Sequence, residues 1–309
     1  MLLYPLGVVA LCALVLALRR VMAPVPPDRL FRVEAVALLL ASRFILRDLF
    51  DCGPNLFVAA LSWWAFAAWR AGHEGRAAAA LGLATALKWT PALLIVWFAL
   101  KRQWRMAAGS ALATALFTLT PILVQGPANY ARDMRAWAAN LAGAARSADP
   151  FSGVLGPDTA GNIALRPALA RALAALGLPA DVAFVAILAA LGTLAALAVW
   201  SLRNPAGDRG DPSLASEYAA AALLALLLSP VAWRSHAVAA LAALMVISRR
   251  LTAGGERSPL LLAWLGAWVL AVLALNPTIT GWTAQALLDQ ASVTTWLLAG
   301  LLLLVLPGD

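Results

Sequence analysis

Long apolar runs separated by short, arginine-rich loops constrain this chain more than any other feature. Hydrophobic residues make up 63% of its 309 residues and charged residues 12%, against roughly 25% charged in soluble domains. No soluble core could hide that much apolar surface. In a bilayer every backbone polar group must find its partner within the protein, which leaves helices or closed barrels. The runs are too long, and alternate too little, for barrel strands. The chain therefore reads as all-α, a polytopic transmembrane bundle forming one domain over residues 1–309. A net charge of +8 would suggest nucleic acid in a soluble protein. Here it follows the bias that keeps Lys and Arg in cytoplasmic loops, and no basic cluster interleaved with aromatics suggests a nucleic-acid partner. The thirteen Trp residues fit interfacial belts and a lipid-lined cavity.

Apolar runs near 2–18, 31–46, 56–69, 77–100, 106–123, 181–202, 214–228, 237–247, 259–275 and 296–306 give about ten or eleven membrane segments. Loop charge orients them. Arg19-Arg20, Arg70 to Arg76, Lys101-Arg102, Arg203 to Asp211 and Arg249-Arg250 fall inside. Residues 125–179 then form an outer loop with amphipathic helices at 130–146 and 162–176, joined by a Gly/Pro/Asp loop at 147–161. Several runs hold only about 11 or 12 residues, or ~18 Å, against a hydrocarbon core of ~30 Å. Short segments that stop at polar residues suit a cavity at the membrane surface. Met1 leads directly into the first run, and Arg19-Arg20 follow it. That order predicts a first span running from outside to inside, with further spans upstream.

Lys88 interrupts the run 77–100, within Leu87-Lys88-Trp89-Thr90-Pro91. A cation at bilayer depth costs roughly 2.5–3.5 kcal/mol on insertion scales. Arg70 and Arg76 precede this run, and Lys101, Arg102 and Arg105 follow it. Both ends are therefore cytoplasmic, and the chain must go out and return, turning near Lys88. Pro91 supports a break, because proline removes a helical hydrogen bond and pushes its predecessor out of the α region.

Asp48, Asp51, Asn55, Lys88, Asn162, Arg166, Arg171, Trp233, Arg234 and His236 all fall on or near the outer side in this topology. Taken singly, each has a bland reading. Lys88 and the arginines could be span-end residues that snorkel to the interface, His236 an interfacial histidine with a satisfied hydrogen bond, and Asp48 and Asp51 a solvated turn. Convergence on one side argues for a site instead. In it, Asp48 or Asp51 could accept a proton from an attacking hydroxyl, and His236 could donate to a phosphate or a sugar hydroxyl. No metal-ligand spacing, Gly-rich phosphate loop or nucleophile elbow occurs, so no metal or cofactor is expected.

Gly82-Leu83-Ala84-Thr85-Ala86-Leu87-Lys88-Trp89-Thr90-Pro91, followed by Lys101-Arg102-Gln103-Trp104-Arg105, resembles the central block of glycosyltransferase family 87. These are integral-membrane, polyprenyl-phosphate-mannose-dependent α-1,2-mannosyltransferase-like proteins of the GT-C class. Cys52-Gly53-Pro54-Asn55 stands where the family has a Gly-Gln-x-Asn turn. Asn162-Ile163-Ala164-Leu165 with Arg171 stands where it has Asn-Gln-Ser-Leu and a later Arg. Leu228-Ser229-Pro230-Val231-Ala232-Trp233 with His236 is similar to its Leu-Ser-Pro-x-x-Trp-x-His-His block. The resemblance covers about residues 40–247. Gly53, Ile163-Ala164 and Arg234-Ser235 depart from the pattern, and the family's catalytic Asp, on a first outer loop, has no counterpart.

The resemblance implies transfer of a hexose, mannose above all, from a polyprenyl-phosphate donor to a lipid or glycan acceptor. The reaction would lie on the extracytoplasmic face of the plasma membrane. Lys88 and Arg171 would then stabilise the leaving phosphate, with Arg166 and His236 secondary, and Trp89 and Trp233 would pack against sugar or prenyl chain. A leaving group with a single phosphate requires no metal. Two other readings stay open: a transporter or flippase of lipid-linked sugars, which would also need a basic outer cavity among broken helices, and a catalytically inactive remnant of the family.

Overall fold

The computed structural model describes residues 3–22, 25–146, 159–252 and 255–306, and all regular structure among them is helical. Helix α1 (Leu3–Val21) is followed by α2 (Pro27–Phe50), α3 (Asn55–Arg70), α4 (Glu74–Leu87) and α5 (Ala92–Leu100). Next come α6 (Trp104–Leu119), a single turn α7 (Ile122–Gln125) and α8 (Pro127–Arg146). Beyond residue 158 lie α9 (Leu165–Ala175), α10 (Ala180–Leu202), α11 (Ser213–Leu227), a 3₁₀ segment Arg234–Ala240 and α12 (Leu241–Thr252). The C-terminal part holds α13 (Pro259–Trp268), a π-helical stretch Val269–Ala274, α14 (Pro277–Thr280), α15 (Trp282–Gln290) and α16 (Val293–Val305).

The protein is an all-α membrane helix bundle. Among the described residues, three stretches are long and apolar enough to cross a bilayer on length and composition alone: Tyr4–Val21, Trp104–Gln125 and Ala180–Leu202. The pair Trp282–Gln290 and Val293–Val305, bent by 58°, makes a fourth if taken as one span. The ten or eleven segments expected from the sequence include many that this criterion does not reach. Some are short, such as Ser213–Leu227 and Pro259–Ala274. Helix α2 is long, at 24 residues, but is dense in charge. Its buried stripe, Val33, Ala37, Leu40, Ala41 and Phe44, has helical spacing and also carries Glu34 and Asp48. Neither carboxylate is left alone: Glu34 accepts from Arg19 through both oxygens, and Asp48 is described below. Charges tolerated at such depth are paired inside the protein.

A cluster of rings sits within a core made mostly of alanine and leucine. Phe66 stacks on Tyr218 at 4.5 Å, and Trp63, Trp69, Trp97 and Phe98 meet them edge-on or tilted. The Tyr218 hydroxyl donates to the Ser62 carbonyl at 3.0 Å. This cluster locks α3, α5 and α11 together. Trp63, Trp69, Trp97 and Trp268 are therefore core residues, at most 2% exposed, and not the interfacial belt expected from their number. Helices α4 and α6 approach so closely at Gly82 that a Cβ there would lie 2.4 Å from the Ala113 Cβ and 2.8 Å from the Thr114 nitrogen. Small residues at such contacts permit close helix packing in membranes.

The break between α4 and α5 lies where Lys88 and Pro91 predict it. Residues 162–164, expected to open a helix, are instead non-helical, with Ala164 extended, and α9 begins at Leu165. Of the expected Gly/Pro/Asp loop at 147–161, residues 147–158 lie outside the described residues.

Gly82→Val should destabilise the bundle by about 1–3 kcal/mol through overpacking, seen as a lower thermal midpoint of the detergent-purified protein. Gly192→Val, with nothing within 4 Å of its Cβ position, should leave that midpoint unchanged.

Candidate functional site

The turn between α2 and α3 is a Schellman closure. The Gly53 N–H donates to the Asp48 carbonyl at 2.8 Å and the Cys52 N–H to the Leu49 carbonyl at 3.2 Å, with Cys52 left-handed at φ 50°. This closure turns the Asp48 side chain back over the start of α3. Its carboxylate accepts from the Leu56 N–H at 2.9 Å and from Asn55 Nδ2 at 2.6 Å, where the helix N-terminus favours negative charge. Gly53 is required here, because a Cβ at that position would lie 2.1 Å from Asp48 Oδ1. Asp48 is fully buried.

Asn55 carries the arrangement onward. Its Oδ1 accepts from Lys88 Nζ. Carboxylate, amide and ammonium thus form one chain, Asp48–Asn55–Lys88, in which the amide presents its donor to the anion and its acceptor to the cation. Lys88 stands in the turn after α4, outside the helices, with extended backbone, and is half-buried. Burial pushes its ammonium down to about 8, with Asp48 pulling the other way. The third element is the 3₁₀ segment with His236. Burial, and then the charge of Lys88, push that imidazole down to about 4, so it is neutral at pH 7.

Asn55, Ser62, Lys88, Thr90, Ser229 and His236 line one pocket of ≈ 60 Å³, over the aromatic core at Trp63. None of its lining residues is acidic.

Asn162 and Arg171 build the adjoining wall. Asn162 Oδ1 accepts from the Ala232 N–H at 2.9 Å and from the Ala164 N–H at 3.1 Å, and its Nδ2 donates to the Pro230 carbonyl at 3.2 Å. The Ile163 N–H reaches the Ala232 carbonyl at 2.7 Å. The loop before α9 is thereby stitched to the Ser-Pro break before His236. Arg171, 9% exposed, donates to Ser292 Oγ at 2.7 Å, to the Asn162 carbonyl at 3.1 Å and to the Thr159 carbonyl at 3.3 Å. All three guanidinium nitrogens are engaged in tying α9 to this loop and to the turn before α16, and Arg171 does not line the Lys88 pocket.

The other candidates do not line the Lys88 pocket. Trp233 is 40% exposed and lies against Gly161. Trp89, 59% exposed, stacks on Trp137 of α8 at 6.0 Å. Asp51 is exposed and paired with Arg47 at 2.8 Å, one helical turn back. Arg166 is half-buried, and its Nη2 has no hydrogen-bond partner among the described residues.

Sequence reasoning missed a polar knot behind the 3₁₀ segment. Arg43 donates to the Val272 carbonyl at 3.1 Å and to Gln285 Oε1. Gln285 Nε2 donates to Asp289 Oδ1 at 2.6 Å, and Arg234 pairs with Asp289. Its traces in the sequence are Arg43 inside an apolar run and Arg234 among the outer polar residues; the link between them is not legible. The partners of Arg43 are more than 200 positions away.

The sequence model of glycosyltransferase family 87 matches residues 2–230. The chain belongs to glycosyltransferase family 87. Membership makes it a membrane glycosyltransferase by family, with a sugar donor and an acceptor as substrates. Asp48, Asn55, Lys88, Asn162 and Arg171 all fall within the match, which ends short of Trp233 and His236. No curated protein and no solved structure matches the chain.

Asp48→Asn should depress the Lys88 ammonium below its present value near 8, because the one named group that raises it loses its charge. Competitive amine acylation across a pH series, read by mass spectrometry on the Lys88 peptide, measures this. An unchanged midpoint would separate Lys88 from the Asp48–Asn55 chain.

Proposed function

We propose that this family 87 protein transfers a hexose, mannose by resemblance, from a polyprenyl phosphate to a lipid or glycan acceptor, on the extracytoplasmic face of the plasma membrane. The observation that carries the reading is the Lys88 ammonium, half-buried in a pocket with no acidic lining and aimed by Asn55. A fixed cation in a half-buried recess is what a departing phosphate needs. As the bond from the anomeric carbon to the phosphate oxygen breaks, negative charge grows on the phosphate, and a preorganised donor stabilises it without rearrangement.

The acceptor hydroxyl forms the new bond to that carbon and gives up its proton. Two carboxylates are candidates to receive it. Asp48 has both oxygens engaged by Asn55 and the Leu56 N–H and is wholly buried, which suits a positioning role through Asn55. Asp51 is exposed and, among the described residues, held by Arg47, so of the two it is the one an acceptor can reach. His236, neutral at pH 7, serves as a hydrogen-bond partner to phosphate or sugar, not as a second cation. Asn162 and Arg171 hold the Ser-Pro break that carries it, the exposed rings of Trp233 and Trp89 are offered as surfaces for sugar and prenyl chain, and Arg166 carries near the start of α9 an Nη2 with no hydrogen-bond partner among the described residues.

Lys88→Ala should lower transfer of radiolabelled sugar from polyprenyl phosphate by roughly 10²–10³ in membranes holding equal amounts of protein. Turnover equal to the parent would end this assignment.

Because Lys88 acts as a cation and is held near 8, kcat/KM for the donor should be level below that pH. Above it, kcat/KM should fall by about tenfold per pH unit as the free enzyme loses the proton. Lys88→Arg, charged throughout, should lack this alkaline limb in whatever activity it keeps.

A further inference from the structure

The opposite end of the bundle carries a second recess that the proposed reaction does not use. It lies between the last turns of α1 and α3 and the first turns of α4, has a volume of ≈ 690 Å³, and is lined by Arg20, Trp64, Arg70, His73 and Arg76 over an alanine floor. Its lining includes no acidic residue. Arg20 lies over the Trp64 ring at 4.4 Å, and the Trp64 indole N–H is fixed on the Ala13 carbonyl at 3.0 Å. Arg70 forms the back wall, donating to the Val21 and Gly210 carbonyls at 2.6 Å each, with Asp208 and Asp211 near enough to act on its charge. Glu74, the carboxylate beside His73, is taken by Arg209. Arg20, His73 and Arg76 are exposed. The alanines at 67, 68, 71 and 80 leave the space open, since larger side chains there would fill it.

We propose that this recess binds the headgroup of an anionic phospholipid. The charge is complementary: three guanidiniums and an imidazole converge on a space lined by no carboxylate. The surroundings favour a lipid over a soluble phosphate. Leu16, one turn before Arg20 on the same helix face, is 47% exposed, and Val9 beyond it 63%. An apolar, lipid-facing surface therefore runs directly from the cationic rim, with the indole of Trp64 at the junction. A headgroup seated on Arg20 and Arg76 leaves its acyl chains along that surface. This site stands apart from the Lys88 pocket and does not depend on the reaction assigned to it.

The test is native mass spectrometry of the full-length protein. It would be released from nanodiscs of phosphatidylcholine alone or with phosphatidylglycerol, with inorganic phosphate added in a third arm. We expect retention of phosphatidylglycerol with at least tenfold preference over phosphatidylcholine and no displacement by phosphate. Arg20→Gln with Arg76→Gln should abolish the preference, while the control pair Arg105→Gln with Arg257→Gln, also exposed, should keep it. Equal loss in both pairs would mean diffuse surface charge, and displacement by inorganic phosphate would mean a soluble anion. Either result, or no preference in the parent, overturns the proposal. Arg76→Gln alone serves if the double variant does not fold, with an expected severalfold loss.

Discussion

A charge held in an apolar helix bundle must be compensated where it stands. In this protein the compensation of Lys88 organises the site. The chain Asp48–Asn55–Lys88 links α2, α3 and the turn after α4, and each link depends on the one before. The Schellman turn at Cys52 and Gly53 brings the Asp48 carboxylate over α3. That carboxylate orients the Asn55 amide, and the amide holds the ammonium. Breaking a buried charge network from one side leaves an uncompensated group and is far more damaging than replacing the whole. The site residues are therefore a mechanical unit as much as a chemical one. The absence of a side chain at Gly53 belongs to that unit as fully as the lysine does.

Composition was enough to read the helical membrane class, because no other fold satisfies the backbone of so apolar a chain. The break at Lys88 to Pro91 was legible from proline chemistry and a single misplaced cation. Asp48, Asn55, Lys88 and His236 could be grouped on one side from loop charge and family resemblance. Their order of contact could not be read. That Asp48 is an internal ligand of Asn55, fully buried, follows from a turn whose left-handed residue is a cysteine, and sequence gives no warning of that. Arg171 was expected beside the leaving phosphate. Its three bonds to Thr159, Asn162 and Ser292 set it instead as a clamp on a loop, and those partners lie up to 121 positions away. Trp63, Trp69, Trp97 and Trp268 lie in the core while seven other tryptophans are exposed; side-chain counts do not distinguish a ring at the headgroup level from one packed against Phe66 and Tyr218.

The two ends of the bundle use the same residue types differently. Away from Lys88, basic side chains tie the ends of helices together. Lys101, 1% exposed, pairs with Glu217 and donates to the Asn204 carbonyl. Arg209 reaches Glu74 and the Trp69 carbonyl, and Arg250 caps α16 at the Leu304 carbonyl. The bonds to the Trp69 and Leu304 carbonyls fall on the last turns of α3 and α16, where helix carbonyls lack an intrahelical partner. Positive charge at these loops thus has a local structural use beside its role in orientation. A reading of basic loops as merely topological would miss it.

The polar knot behind the 3₁₀ segment completes the account of how His236 keeps its place. Two guanidiniums, Arg43 and Arg234, face a single carboxylate, Asp289, with Gln285 bridging. Without Asp289 the two cations would repel each other across the start of the segment that carries the histidine. With it, α2, α15 and the 3₁₀ segment are drawn to one point. Arg43 sits on α2 five residues before Asp48, so one helix positions both the ammonium, through Asp48 and Asn55, and the imidazole, through Asp289 and Arg234. The spacing of the two pocket groups is then set by one rigid helix. A recess of ≈ 60 Å³ can keep its shape that way even though the helices around it are short.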